Sequence, residues 1–86
     1  RIGGDEFVIA LGDTTLHEAK VIAERIQTSI GKHSIKASQN INLICSVSVG
    51  VSSKVNDNEQ LKELIRYADK ALYQAKEQGG NRVVNL

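Results

Sequence analysis

Gly3-Gly4-Asp5-Glu6-Phe7-Val8-Ile9-Ala10-Leu11 reads as a tight turn running into a strand. Two adjacent glycines let the backbone turn sharply and approach a ligand without interference from a Cβ. Two neighbouring carboxylates follow. Hard oxygen donors suit Mg²⁺, which commonly binds through one or two carboxylates plus substrate phosphates. In extended backbone Asp5 and Glu6 point to opposite sides, whereas a turn can bring them together. After Glu6 the residues up to Leu11 are apolar and partly β-branched, so residues 6–11 have the pattern of a short buried strand, and Gly12-Asp13 closes it. The plainer alternative is a hairpin turn beside a solvated acidic pair, and the physics alone favours it. The string itself shifts the balance, since average residue usage makes Gly-Gly-Asp-Glu-Phe expected about once per million positions.

Outward from this stretch, Thr15-x-x-Glu18 fits a capping box at a helix start. Leu16, Ala19, Ile22, Ala23, Ile26 and Ile30 follow at helical spacing and form one apolar stripe, with Gly31 as the expected C-cap. Residues 33–51 read as two strands with a turn at Gln39-Asn40. In the second, Cys45, Val47, Val49 and Val51 alternate with Ser46, Ser48 and Gly50, a period of two that marks a strand. Its small polar face suits a ligand or a closely packed helix, and Cys45 is expected to be a buried, inert thiol. A second helix is predicted over 58–78, capped by Asp57 or Asn58 and ended by Gly79-Gly80. Its stripe is Leu61, Leu64, Ile65, Ala68, Leu72 and Ala75. Residues 82–86 read as a last short strand. The predicted class is α+β, an α/β sandwich of two helices on a mostly antiparallel sheet in the order β-α-β-β-α-β.

Composition bounds the function. The chain has 86 residues, 41% of them hydrophobic and 24% charged, which fits one small globular unit. Aromatics amount to 3%, namely Phe7, Tyr67 and Tyr73, so the core is aliphatic. A net charge of +1 without a Lys/Arg run argues against nucleic acid as a partner. The apolar runs are too short to cross a bilayer, and direct membrane contact by this segment is not expected. His17 and His33 stand alone, without a second ligand at metal-binding spacing. Cys45 is the only cysteine, which excludes an internal disulfide and points to a reducing cytoplasm. The chain lacks methionine and opens inside a turn, so it is expected to be a fragment.

Three further landmarks carry a resemblance. Ser46-Val47-Ser48-Val49-Gly50-Val51 is similar to a Thr/Ser-x-Ser-Ile-Gly-Val strand, Ala68-Asp69-Lys70-Ala71-Leu72-Tyr73-Gln74-Ala75-Lys76 to an Ala-Asp-x-Ala-Leu-Tyr-x-Ala-Lys helix, and Gly79-Gly80-Asn81-Arg82-Val83 to a Gly-Arg-Asn-Arg-Val ending. With Arg1 and the Gly-Gly-Asp-Glu-Phe string, they make residues 1–86 resemble the C-terminal portion of a single GGDEF domain, the catalytic module of bacterial diguanylate cyclases.

The resemblance implies a partial nucleotide-cyclase-like, ferredoxin-like fold. It implies condensation of two GTP molecules into cyclic di-GMP with release of pyrophosphate, in a homodimer that places one GTP against the other. Mg²⁺ or Mn²⁺ would be the cofactor. Carried over to this chain, Glu6 is a metal ligand, and Asp5 lies beside the metal and helps activate the attacking 3′-hydroxyl. Gly3 and Gly4 form the turn against the nucleotide, and Lys76 reaches the phosphates as a point charge. Arg25 matches an arginine that contacts cyclic di-GMP in product inhibition. The family's other phosphate-contacting basic residue, the arginine of Gly-Arg-Asn, is Gly80 here, and Arg82, two residues on, is the expected substitute. The family's N-terminal half holds the first-strand metal aspartate, the guanine-reading asparagine and aspartate, and an Arg-x-x-Asp inhibitory site. Without that half, the fragment is expected to be inactive and to associate through exposed apolar surface. The alternative function is a catalytically degenerate regulatory module that binds GTP or cyclic di-GMP.

Overall fold

The computed structural model describes residues 6–32, 34–54 and 60–85. Helix α1 spans Leu16–Lys32, strand β1 Ser34–Ser38, strand β2 Ile41–Ile44, strand β3 Val49–Val51, helix α2 Leu61–Glu77 and strand β4 Val83–Asn85. The α+β class and its two helices match the sequence expectation, but the order among the described residues is α-β-β-β-α-β.

Helix α1 begins as its sequence dictates. The Glu18 N–H donates to Thr15 Oγ1 at 3.1 Å, and the Thr15 N–H reaches back to Glu18 Oε1 at 3.5 Å. The Thr15 hydroxyl also donates to that carboxylate, at 2.9 Å. The predicted stripe faces inward: Ala23 is buried, and Leu16, Ala19, Ile22, Ile26 and Ile30 are half-buried. Gly31 does not end the helix, which continues to Lys32. A cation in the last turn meets the negative end of the helix dipole, which favours this extension.

The expected mostly antiparallel sheet is corrected. The described strands form two separate two-stranded sheets. One is the antiparallel hairpin β1–β2, turning at Gln39 and Asn40, with its register interrupted between Lys36 and Ser38. The other, β3–β4, is parallel, pairing Val49 with Val83, Gly50 with Val84 and Val51 with Asn85. Helix α2 is the crossover between these parallel strands, as a parallel connection requires.

Residues 6–11 form no strand, and Phe7, Val8, Ile9 and Leu11 are exposed. A lone extended run cannot satisfy its own backbone groups, and no described strand pairs with it. The long strand expected over residues 41–51 is split into β2, Ile41–Ile44, which pairs with β1, and β3, Val49–Val51, which pairs with the three-residue β4. Residues 45–48 therefore leave the ladder, and Cys45, expected to be buried, is exposed.

Helix α2 starts later than expected, at Leu61 with Gln60 as an N-cap that makes no side-chain bond; Asp57 and Asn58 lie outside the described residues. Its end matches the sequence. Gly79, at φ 111°, donates its N–H to Lys76 O at 3.2 Å, and Gly80 donates to Ala75 O at 2.9 Å. This pair of bonds is a Schellman motif, which satisfies carbonyls left open at a helix C-terminus.

The core lies where α2 crosses β3. Its buried members are Ala23, Val51, Ala71 and Ala75, the last two with no exposed surface. Small residues belong there because the backbones nearly touch. A Cβ built on Gly50 would collide with the backbone of Ala68 and Leu72, standing 2.9 Å from Leu72 Cα. The small face of the Ser46–Val51 landmark is thus filled at Gly50 by a helix. Leu61, drawn on the stripe, is 62% exposed at the outer end of α2. The Ser52 hydroxyl donates to Leu64 O at 2.6 Å and ties the strand exit to the same helix.

Candidate functional site

Glu6 and helix α2 meet at one ion pair. Lys76 Nζ stands 3.9 Å from Glu6 Oε1. Both side chains are partly exposed, at 53% and 39%, so the pair adds only about 0–1 kcal/mol of stability. Its significance is placement: a carboxylate from the chain start and an ammonium from the last turn of α2 share one wet edge. The cation also sits at the negative end of the α2 dipole.

Asp5, Gly3 and Gly4 lie outside the described residues. Among the described residues no group of three or more His, Cys, Asp and Glu side chains gathers in metal-binding proximity. Glu6 is therefore one available carboxylate and not a complete protein cage. That fits Mg²⁺, which usually takes one or two carboxylates and completes its shell with phosphate oxygens and water.

Beyond Lys76 the chain turns through three consecutive residues at positive φ: Gly79 at 111°, Gly80 at 72° and Asn81 at 52°. A Cβ at Gly80 would lie 3.2 Å from Ser48 Oγ, so this backbone suits a glycine there. Arg82 folds back over the same turn. Its Nε donates to Gly80 O at 3.2 Å and its Nη1 lies 3.5 Å from Gln78 Oε1. Its Nη2 is 3.5 Å from the point a Cβ on Gly79 would occupy. The guanidinium thus covers a turn whose glycines carry no charge of their own.

Arg25 is exposed on α1, in a shallow depression lined also by Glu24, Thr28 and Lys32. No contact joins it to the Glu6–Lys76 pair. Sequence reasoning missed Gln27, Ser48 and Asn81, which knit the turn to the rest of the molecule. Gln27 Nε2 donates to Asn81 Oδ1 at 2.8 Å and to Asn81 O at 3.2 Å, and the Asn81 N–H donates to Ser48 Oγ at 3.1 Å. The one local signal was an asparagine following two glycines, since asparagine tolerates left-handed backbone.

Comparison with known proteins agrees with these landmarks. Residues 1–82 match the family model described as diguanylate cyclase, GGDEF domain. The chain belongs to the GGDEF family. It is 43% identical over 84 residues to diguanylate cyclase A of Treponema denticola, covering 96% of this chain and 22% of that protein. It is 40% identical over 83 residues to diguanylate cyclase DosC of Escherichia coli, covering 96% and 18%. Response regulator PleD of Caulobacter vibrioides is 35% identical over 85 residues, covering 98% and 19%. The chain thus spans only about a fifth of the length of the curated relatives it matches. Glu6 and Lys76 fall at one edge of the molecule, and Gly80, which stands at the first arginine of the Gly-Arg-Asn-Arg-Val pattern, is a left-handed glycine. No helix among the described residues is long and apolar enough to cross a membrane.

Proposed function

We propose that this chain is the C-terminal part of a diguanylate cyclase catalytic domain, which condenses two GTP molecules into cyclic di-GMP and releases pyrophosphate. The observation that supports it most is the 3.9 Å pairing of Glu6 with Lys76, a metal-type carboxylate beside a phosphate-type cation. In this reading Glu6, with Asp5, would hold Mg²⁺ or Mn²⁺, whose charge offsets that developing on the transferring phosphoryl group. Lys76 binds the phosphates as a point charge. Asp5 helps deprotonate the attacking 3′-hydroxyl, and Gly3 and Gly4 let the backbone come close to the nucleotide. Two such domains face each other in a homodimer, and Arg25 contacts cyclic di-GMP where product inhibition operates. The segment works in the cytoplasm, beside the GTP pool, with no nucleic-acid partner.

Arg82 supplies the second phosphate contact. Gly80 offers no charge, and the Arg82 guanidinium lies over the turn that Gly80 helps form. In a protein carrying the complete domain, Arg82→Ala is expected to raise the KM for GTP about tenfold, the loss of one charge-assisted contact. An unchanged KM would remove Arg82 from the site.

Gly80 also favours a second reading, a regulatory GGDEF module that binds GTP or cyclic di-GMP without turnover. Saturable GTP binding with no cyclic di-GMP formed would select it.

A further inference from the structure

We infer that Gln27 and Asn81 form a clamp that positions Arg82 for the nucleotide phosphates. The inference rests on the reading of Arg82 given above and names the residues through which that side chain is aimed.

The turn at 79–81 is expensive backbone. Left-handed φ costs little for glycine but requires support at Asn81, where a Cβ is present. Support comes from two sides. The Gln27 amide, on α1, bridges the Asn81 side-chain and main-chain oxygens at 2.8 and 3.2 Å. From the other side the Asn81 N–H donates to Ser48 Oγ at 3.1 Å, just before β3 begins. Asn81 is thus held at once by the first helix and by the segment entering the parallel ladder.

Arg82 is the next residue, and it inherits that geometry. Its carbonyl accepts from Val49 N at 3.0 Å, the first rung joining β4 to β3. With its main chain fixed there and Asn81 held left-handed, its side chain returns across the turn to Gly80 O. Without the clamp the backbone at 81 relaxes toward ordinary φ, and the guanidinium loses its place over the turn at Gly79 and Gly80. A glycine at position 80 leaves no other side chain to occupy that place. Gln27 touches no ligand in this scheme; it is a positioning residue.

The test uses a protein carrying the complete domain, with Gln27→Leu, Gln27→Glu, Arg82→Ala and the Gln27→Leu/Arg82→Ala double variant. Gln27→Glu keeps the shape but loses the amide donor, so it covers the case in which Gln27→Leu folds poorly. Each Gln27 variant is expected to raise the KM for GTP about fivefold with kcat kept, because a ground-state phosphate contact is weakened. The double variant is expected to match Arg82→Ala alone, since the clamp acts only through that side chain. In parallel, the Arg82 Nε–H resonance, followed by nitrogen-resolved NMR, should shift in both Gln27 variants as its bond to Gly80 O is lost. Multiplying effects in the double variant, an Arg82 Nε–H resonance that does not shift, or an unchanged KM in both Gln27 variants would overturn the clamp while leaving the Arg82 reading in place. An unchanged KM in Arg82→Ala would overturn both.

Discussion

Gly50 and Leu72 are in backbone contact: a single added methyl on Gly50 would stand 2.9 Å from Leu72 Cα. Helix α2 can lie this close to β3 only because Gly50, Ala71 and Ala75 present no bulk at the crossing. The same closeness brings the last turn of α2, and Lys76 with it, to the edge that Glu6 reaches.

Gly50→Ala therefore forces the helix off the strand. Overpacking of this kind costs about 1–3 kcal/mol, and the obstacle here is main chain that cannot rotate away. In a domain of this size each 1 kcal/mol shifts Tm by roughly 4–8 °C, so a drop on the order of 10 °C is expected by circular dichroism. An unchanged Tm would show that α2 does not pack on Gly50.

Thr15→Ala removes the hydroxyl that accepts the Glu18 N–H. The expected cost is about 1 kcal/mol, read as a lower Tm, with Thr15→Ser close to wild type because the oxygen is retained. Equal losses in both variants would mean that the methyl of Thr15, not its hydroxyl, matters.

Apolar surface in the described structure is unusually open. Phe7 is 71% exposed, Ile9 66% and Ile44 78%. With four buried apolar side chains among the described residues, all small or medium, a chain of this size is expected to cover such surface by self-association. Light scattering on the purified chain at high concentration should report a mass above that of one chain, and Ile44→Lys should reduce it. A clean monomer at all concentrations would contradict this.

What the sequence revealed was mostly what is local. The Thr15–Glu18 box, the α1 stripe and the Gly79–Gly80 helix end are decided by residues within one or two turns of each other, and all three stand as read. Strand pairing depends on distant partners. Nothing near Val49 announces that it pairs in parallel with Val83, and nothing in residues 6–11 says whether a partner strand is present. Ala71 was left off the α2 stripe although it stands three residues after Ala68 and four before Ala75, and it is fully buried at the crossing. Glu6 and Lys76 were singled out as candidate site residues through the family landmarks, not through periodicity, and the structure brings the two side chains within 3.9 Å. Gln27 was invisible because its partner, Asn81, is remote in sequence.

The central claim is that Glu6 and Lys76 serve one GTP-condensing site. Its most direct test is cyclic di-GMP formation from GTP and Mg²⁺ by a protein carrying the complete domain, compared with its Glu6→Gln variant. The account predicts product from the unsubstituted protein and a loss of at least about a hundredfold in the variant, which keeps the shape of Glu6 but removes the charge that holds the metal. Undiminished product from Glu6→Gln, or none from the unsubstituted protein, would contradict it.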